Sequence, residues 1–164
     1  MLKGIILFLL CFAGPADLFA SKEIVIDLSE QRAYAIEDGM IVFEGPVSSG
    51  IRGRETPEGE YHILQKKRHH RSNLWPKPNG GATMNYMLRL TNSGIAMHLG
   101  YVPAKGPASH GCIRLKSGFA QRMYQWAQVG VAVYVEGDIE EWYAMRRLRR
   151  NSGYDDDYLI VEEY

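Results

Sequence analysis

Cysteine is scarce: the 164-residue chain contains only Cys11 and Cys112. Long hydrophobic runs are absent too. The longest, Gly4 to Ala13, is too short to span a bilayer. There is no excess charge of either sign, because 19 basic side chains balance 19 acidic ones. No global field therefore points to nucleic acid as a partner. Internal repeats and domain linkers are missing as well. A chain of this length with 46% hydrophobic residues suits one globular domain with a core.

The first twenty residues have the order of an export signal. Lys3 supplies a positive start, the apolar run follows, Pro15 breaks it, and Leu18-Phe19-Ala20 ends on a small residue. Residues 1–20 are read as a signal peptide with the mature chain starting at or near Ser21. An uncleaved membrane anchor is the competing reading. The expected location is the periplasm or cell envelope. Loss of Cys11 with the signal leaves Cys112 alone in an oxidising compartment, where no internal disulfide can form. A thiol in that position is either buried and inert or kept for chemistry.

Local charge is uneven. Lys66, Lys67, Arg68 and Arg71 gather around His69 and His70, and Arg146, Arg147, Arg149 and Arg150 form a second group. Asp155 to Asp157 with Glu162 and Glu163 make an acidic tail. Such runs are usually solvated surface; loose attraction to an anionic polymer such as the cell wall is the alternative.

The pattern is mainly β with two late helices. Strands are expected at residues 21–28, 32–36, 40–47 and 61–65, then at 86–90, 95–98 and 131–135. Asp38-Gly39 is a hairpin turn signal. Residues 66–83 form a long polar loop holding Trp75, Pro76 and Pro78. Ser117 is the expected cap of a helix presenting Phe119, Met123, Trp126 and Ala127 on one face, ended by Gly130. Asp138 and Glu141 have capping-box spacing before a second helix through Arg150, stopped by Gly153.

Chemistry concentrates between His98 and Leu115, where a loop leads to Ser109-His110-Gly111-Cys112-Ile113-Arg114. A thiol nucleophile needs a base beside it, and His98 ends an apolar strand, a rigid place to hold one. Adjacent strands joined by the intervening loop would bring His98 and Cys112 within reach. Attack on a carbonyl creates an oxyanion, for which the backbone amides of His110, Gly111 and Cys112 are natural donors. Gly111 lets substrate approach the chain closely. A core cysteine and a structural histidine are the duller readings of the same two residues.

Ser-His-Gly-Cys-Ile-Arg after a strand ending in His resembles the motif of the L,D-transpeptidase (YkuD-like) catalytic domain family. The likeness runs from Ile24 to about Val135. It includes Gln31 and Tyr34 of a Gln-x-x-Tyr strand, Ser48 and Gly50 of a Ser-x-Gly turn, and Thr56-Pro57-x-Gly59. It also takes in Met84-x-Tyr86 and a closing Val131–Val135 strand. The resemblance implies a β-sandwich of mixed sheets over residues 21–136, with residues 137–164 as a C-terminal helix and acidic tail. It makes Cys112 the nucleophile and His98 the base, with the Leu99 carbonyl orienting the ring. Ser109 and His110 would shape the pocket and oxyanion site, and Arg114 would hold a substrate carboxylate or brace the loop. Leu99-Gly100 departs from the Gly-Thr or Gly-Ser usual after that His.

The implied reaction is acyl transfer: Cys112 takes the stem tetrapeptide of peptidoglycan as a thioester, D-alanine leaves, and an amine such as that of diaminopimelate resolves the intermediate. A cell-wall-anchored protein is a further candidate acceptor. No cofactor or metal is implied, and the chain is expected to act as a monomer. Water as the acceptor would make the same site an L,D-carboxypeptidase or a crosslink-cleaving amidase. A non-catalytic peptidoglycan-binding protein is another alternative. Zinc held by His98, His110 and Cys112 is the last, although residues two apart on a tight turn need not converge. Trp75 and Tyr86 are candidate aromatics for packing on substrate, against ordinary loop packing.

Overall fold

A computed structural model describes residues 21–73, 80–104 and 106–152. The signal-peptide reading, Trp75, Gly153 and the acidic tail lie outside the described residues. Among those described, no helix is long and apolar enough to cross a membrane.

The chain opens with an antiparallel meander of β1 (Lys22–Asp27), β2 (Arg32–Glu37) and β3 (Met40–Ser48). Alternation does the sorting here: Ile24, Ile26, Ala33 and Ala35 point inward and are fully buried. Asp38 and Gly39 both have positive φ, 52° and 75°, as the tight turn between β2 and β3 requires.

Then come β4 (Gly59–His62), β5 (Gln65–Lys67), β6 (Met87–Arg89), β7 (Ala96–Leu99), β8 (Ile113–Leu115), α1 (Phe119–Trp126), β9 (Ala132–Glu136) and α2 (Ile139–Asn151). The strand order is β4-β9-β1-β2-β3-β8-β7-β6-β5. The long β3 is shared, so two mixed half-sheets meet along it. Each half contains one parallel pair, β1 with β9 and β7 with β8. One core joins the halves: Ile24, Ile26 and Val133 from the first pack with Leu88, Met97, Ile113 and Leu115 from the second. Each such side chain contributes about 1.5–3 kcal/mol by leaving water.

The strand expected at residues 61–65 is divided in the structure. Gly59–His62 pairs with β9 in one half, and Gln65–Lys67 pairs with β6 at the far edge of the other. Ile63 is buried in the core at the crossover. Lys66 and Lys67, read as the start of a loop, thus belong to β5.

The face of α1 is as expected: Met123 and Ala127 are buried and Phe119 and Trp126 pack against the core. Its N-cap is Gly118 rather than Ser117, whose Oγ instead accepts a hydrogen bond from Gln121 Nε2 at 3.2 Å. Asp138 caps α2, accepting the Glu140 N–H at 2.9 Å.

Candidate active site

The β7–β8 pair sets the geometry. These strands are adjacent but parallel, with Met97 opposite Ile113 and His98 opposite Arg114. A parallel connection needs a crossover of about a dozen residues, which residues 100–112 supply. Met97, Ile113 and Leu115 face the core. By alternation, Ala96, His98, Cys112 and Arg114 all face the other way. One step before β8, Cys112 falls opposite Ala96, with His98 diagonally ahead of it on the same face.

His98 is buried, at 8% exposure, and its Nδ1 lies 2.8 Å from the Leu99 carbonyl oxygen. A carbonyl can only accept, so Nδ1 carries the proton and Nε2 is left as a base. Burial lowers the His98 pKa below its usual 6.5; the Leu99 carbonyl opposes this, and the nearby charges of Arg114 and His70 reinforce it. The ring is therefore neutral at neutral pH.

Cys112 is a free, partly exposed thiol packed against Met84, Met87 and Ala96. Its Sγ faces the Gly94 carbonyl oxygen at 3.7 Å. Burial raises its pKa above the usual 9.0, opposed by the Ala96 amide and by Arg114. Both shifts favour the neutral forms, thiol at Cys112 and imidazole at His98.

The loop before Cys112 is fixed by hydrogen bonds at both ends. Ser109 Oγ donates to the Cys112 carbonyl and accepts the Gly111 N–H at 3.1 Å. Thr56 Oγ1 donates to the Gly111 carbonyl at 2.9 Å and accepts the Gly50 N–H at 3.0 Å. The Ser49 carbonyl accepts from the amides of Ala108 and Ser109 at 3.1 and 3.0 Å. Ser49 in turn is held by the buried Gln31, which also donates to the Leu28 carbonyl at 2.8 Å. Ser48 Oγ donates to the Gly106 carbonyl at 3.1 Å.

Two glycines make this scaffold possible. At Gly50 a Cβ would lie 2.0 Å from the Arg54 carbonyl oxygen, so the need is for close approach. At Gly111 the nearest atom to a Cβ would be 3.7 Å away, but φ is 107°, so the need is conformational.

The family signature of the L,D-transpeptidase catalytic domain (YkuD) matches residues 21–135, which takes in this whole arrangement. The chain belongs to that family. Its fold agrees with solved L,D-transpeptidases. One from Stackebrandtia nassauensis has a TM-score of 0.65 at 26% identity, over 72% of this chain and 56% of that one. One from Mycobacterium smegmatis has 0.63 at 27% identity, over 71% and 59%. L,D-transpeptidase 3 from Mycobacterium tuberculosis, solved with a faropenem-derived adduct, has 0.62 at 26% identity, over 71% and 60%. The match thus spans under two thirds of each of these chains. No curated protein matches the sequence significantly.

Within this L,D-transpeptidase domain the structure brings together His98, Ser109, Gly111, Cys112 and Arg114. His110 is exposed at the turn, with Arg54 and Arg114 among the charges near it. The Tyr86 ring meets Tyr124 of α1 edge-on at 5.6 Å, which occupies it in packing against the helix. Among the described residues no three His, Cys, Asp or Glu side chains are grouped as metal ligands would be. The roles of Gln31, Ser49 and Thr56 were not assigned from sequence. The signal was there in the Gln-x-x-Tyr, Ser-x-Gly and Thr-Pro-x-Gly motifs, but their convergence is a property of the folded chain.

Proposed function

We propose that this protein is an exported peptidoglycan L,D-transpeptidase with Cys112 as nucleophile and His98 as general base. The observation that carries the reading is their shared face on β7–β8, with Nδ1 of His98 turned to the Leu99 carbonyl. Because both groups rest neutral, the proton passes during attack: His98 Nε2 takes it from Sγ as the sulfur adds to the carbonyl carbon before the terminal D-alanine of a stem tetrapeptide.

The developing oxyanion is met by main-chain amides of the 110–112 turn. The Gly111 amide is already committed to Ser109 Oγ, which points to those of His110 and Cys112. Collapse breaks the C–N bond, and D-alanine leaves with the proton from His98. An amine acceptor, such as the diaminopimelate side chain of a second stem, then attacks the thioester. His98 accepts its proton, the C–S bond breaks, and the proton returns to sulfur. Arg114, on the same face, is the proposed holder of a stem carboxylate. No cofactor enters.

Incubation with defined tetrapeptide muropeptides, with products separated by mass, tests this. Crosslinked dimers and free D-alanine are expected. Tripeptides alone would assign the site to hydrolysis, and no product at all would leave a binding protein.

A further inference from the structure

One strongly charged cavity lies outside the site described above. It is a solvent-open pocket of about 190 Å³ lined by Arg52, Tyr143, Arg146, Arg147 and Arg150. Positions 143, 146, 147 and 150 follow the i, i+3, i+4, i+7 spacing that gives a helix its single continuous face. Such a stripe is ordinarily apolar and buried. Here it is one tyrosine and three arginines, and it meets a fourth arginine from the loop after β3.

Four guanidinium groups around one cavity repel each other. Glu140 pairs with Arg52 through both carboxylate oxygens and offsets one of the four charges. The others keep an excess of positive charge. Two forks are held in place: Arg52 lies over the Tyr143 ring at 4.4 Å, and Arg146 over Trp142 at 5.1 Å while donating to the Ala104 carbonyl. Support for the α2 dipole explains arginines in its last turn, and Glu140 accounts for the placement of Arg52, but neither explains why Arg146, Arg147 and Arg150 share one stripe with Tyr143. Planar, preoriented guanidinium forks match multiply charged tetrahedral oxyanions.

We infer that this cavity between α2 and the loop after β3 is a binding site for a phosphate-ester anion. It is separate from Cys112 and stands whether or not the transfer reaction does. It also touches the frame of the catalytic loop. Arg52 belongs to the segment in which Thr56 holds Gly111. Trp142 occupies the space beside Gly106, where a Cβ would come within 2.1 Å of its ring.

Calorimetric titration of the full chain with pyrophosphate, at low and at high salt, tests the inference. One saturable site is expected, weakened at least tenfold by Arg147→Gln with Arg150→Gln. Arg149→Gln, on the same helix but off the stripe, should leave affinity within twofold, and so should Cys112→Ala. Retained thermal unfolding in the double variant guards against loss of fold. Sedimentation with phosphatidylglycerol vesicles separates the sources. Vesicle binding lost in the same double variant would place the phosphate on a lipid headgroup, and its absence beside pyrophosphate binding would indicate a soluble ester. No saturable binding to either probe, or equal affinity in the double variant, would overturn the site. Binding seen only after Asp155, Asp156 and Asp157 are changed to Asn would also overturn it, by assigning the arginines to the chain's own tail.

Discussion

Gln31 grips Ser49 with both ends of its amide: Oε1 accepts the Ser49 N–H at 2.9 Å, and Nε2 donates to Ser49 Oγ at 2.8 Å. Gln31 is on the turn before β2, far from Cys112 in sequence. Yet Ser49 carries the carbonyl that receives Ala108 and Ser109. Replacing Gln31 with Leu leaves these buried partners unpaired, which costs about 1–3 kcal/mol per group. Urea unfolding should show that loss, with acylation of Cys112 slowed as well. The Tyr34→Phe change, on the exposed side of β2, should leave both nearly as they are.

Gly50 and Gly111 should fail differently when changed to Ala. At Gly50 the new methyl meets backbone oxygen at 2.0 Å, and the chain itself must move. At Gly111 there is space, and the cost is that of an L residue at a positive φ, about 1–3 kcal/mol. Thermal unfolding should rank Gly50→Ala as the more damaging. Gly111→Ala should keep the fold and lose acylation rate.

The pH dependence follows from two opposite shifts. His98 is lowered from 6.5, so its base form persists through neutral pH and the acid limb of acylation should fall below that value. Stability follows the same sign. Below about 6.5 the unfolded chain binds a proton that folded His98 resists, so this contribution is lost on acidification. Cys112 is raised from 9.0, so the unfolded thiol ionises first and its contribution is lost as pH rises through and beyond that value. Iodoacetamide labelling of Cys112 should therefore rise only at alkaline pH. An acid limb well above 6.5 in the acylation profile would contradict a neutral His98.

Arg114 lowers the pKa of both partners while facing the same side as they do. Arg114→Gln should move the acid limb upward, since one opposing charge on His98 is removed. If Arg114 also holds a stem carboxylate, KM for the tetrapeptide should rise by roughly tenfold or more, as for loss of a charge-assisted hydrogen bond worth about 1.5–3 kcal/mol.

Much of this was legible in the sequence, for reasons that differ by element. The β1–β2–β3 meander shows itself because one of its faces is buried, so the buried Ile24, Ile26, Ala33 and Ala35 fall at every second position. The helix faces show because the 3.6 period is strong at Met123 and Ala127. The pattern gives one strand at 61–65 and a loop from 66, where the chain has two strands, Gly59–His62 and Gln65–Lys67. Apolar content alone does not say that Ile63 marks a passage from one half-sheet to the other. The Ser117 cap failed because Gly118 takes that place, while Ser117 bonds a side chain one turn on. Cys112 and His98 stood out through residue chemistry, but their common face depended on parallel pairing, which no local pattern encodes. The bonds from Gln31, Ser49 and Thr56 join segments far apart in the chain, 55 residues for Thr56 to Gly111 and further for Ser49 to Ser109, so only the folded chain reveals them.

The most direct test of the central claim is the mass of the protein itself after mixing with a tetrapeptide muropeptide and rapid acid quenching. The account predicts a gain equal to the donor less D-alanine, mapped to the peptide bearing Cys112. That gain should be absent in Cys112→Ala and form about 10²–10⁴ times more slowly in His98→Gln. Release of D-alanine by Cys112→Ala at the unaltered rate would contradict it.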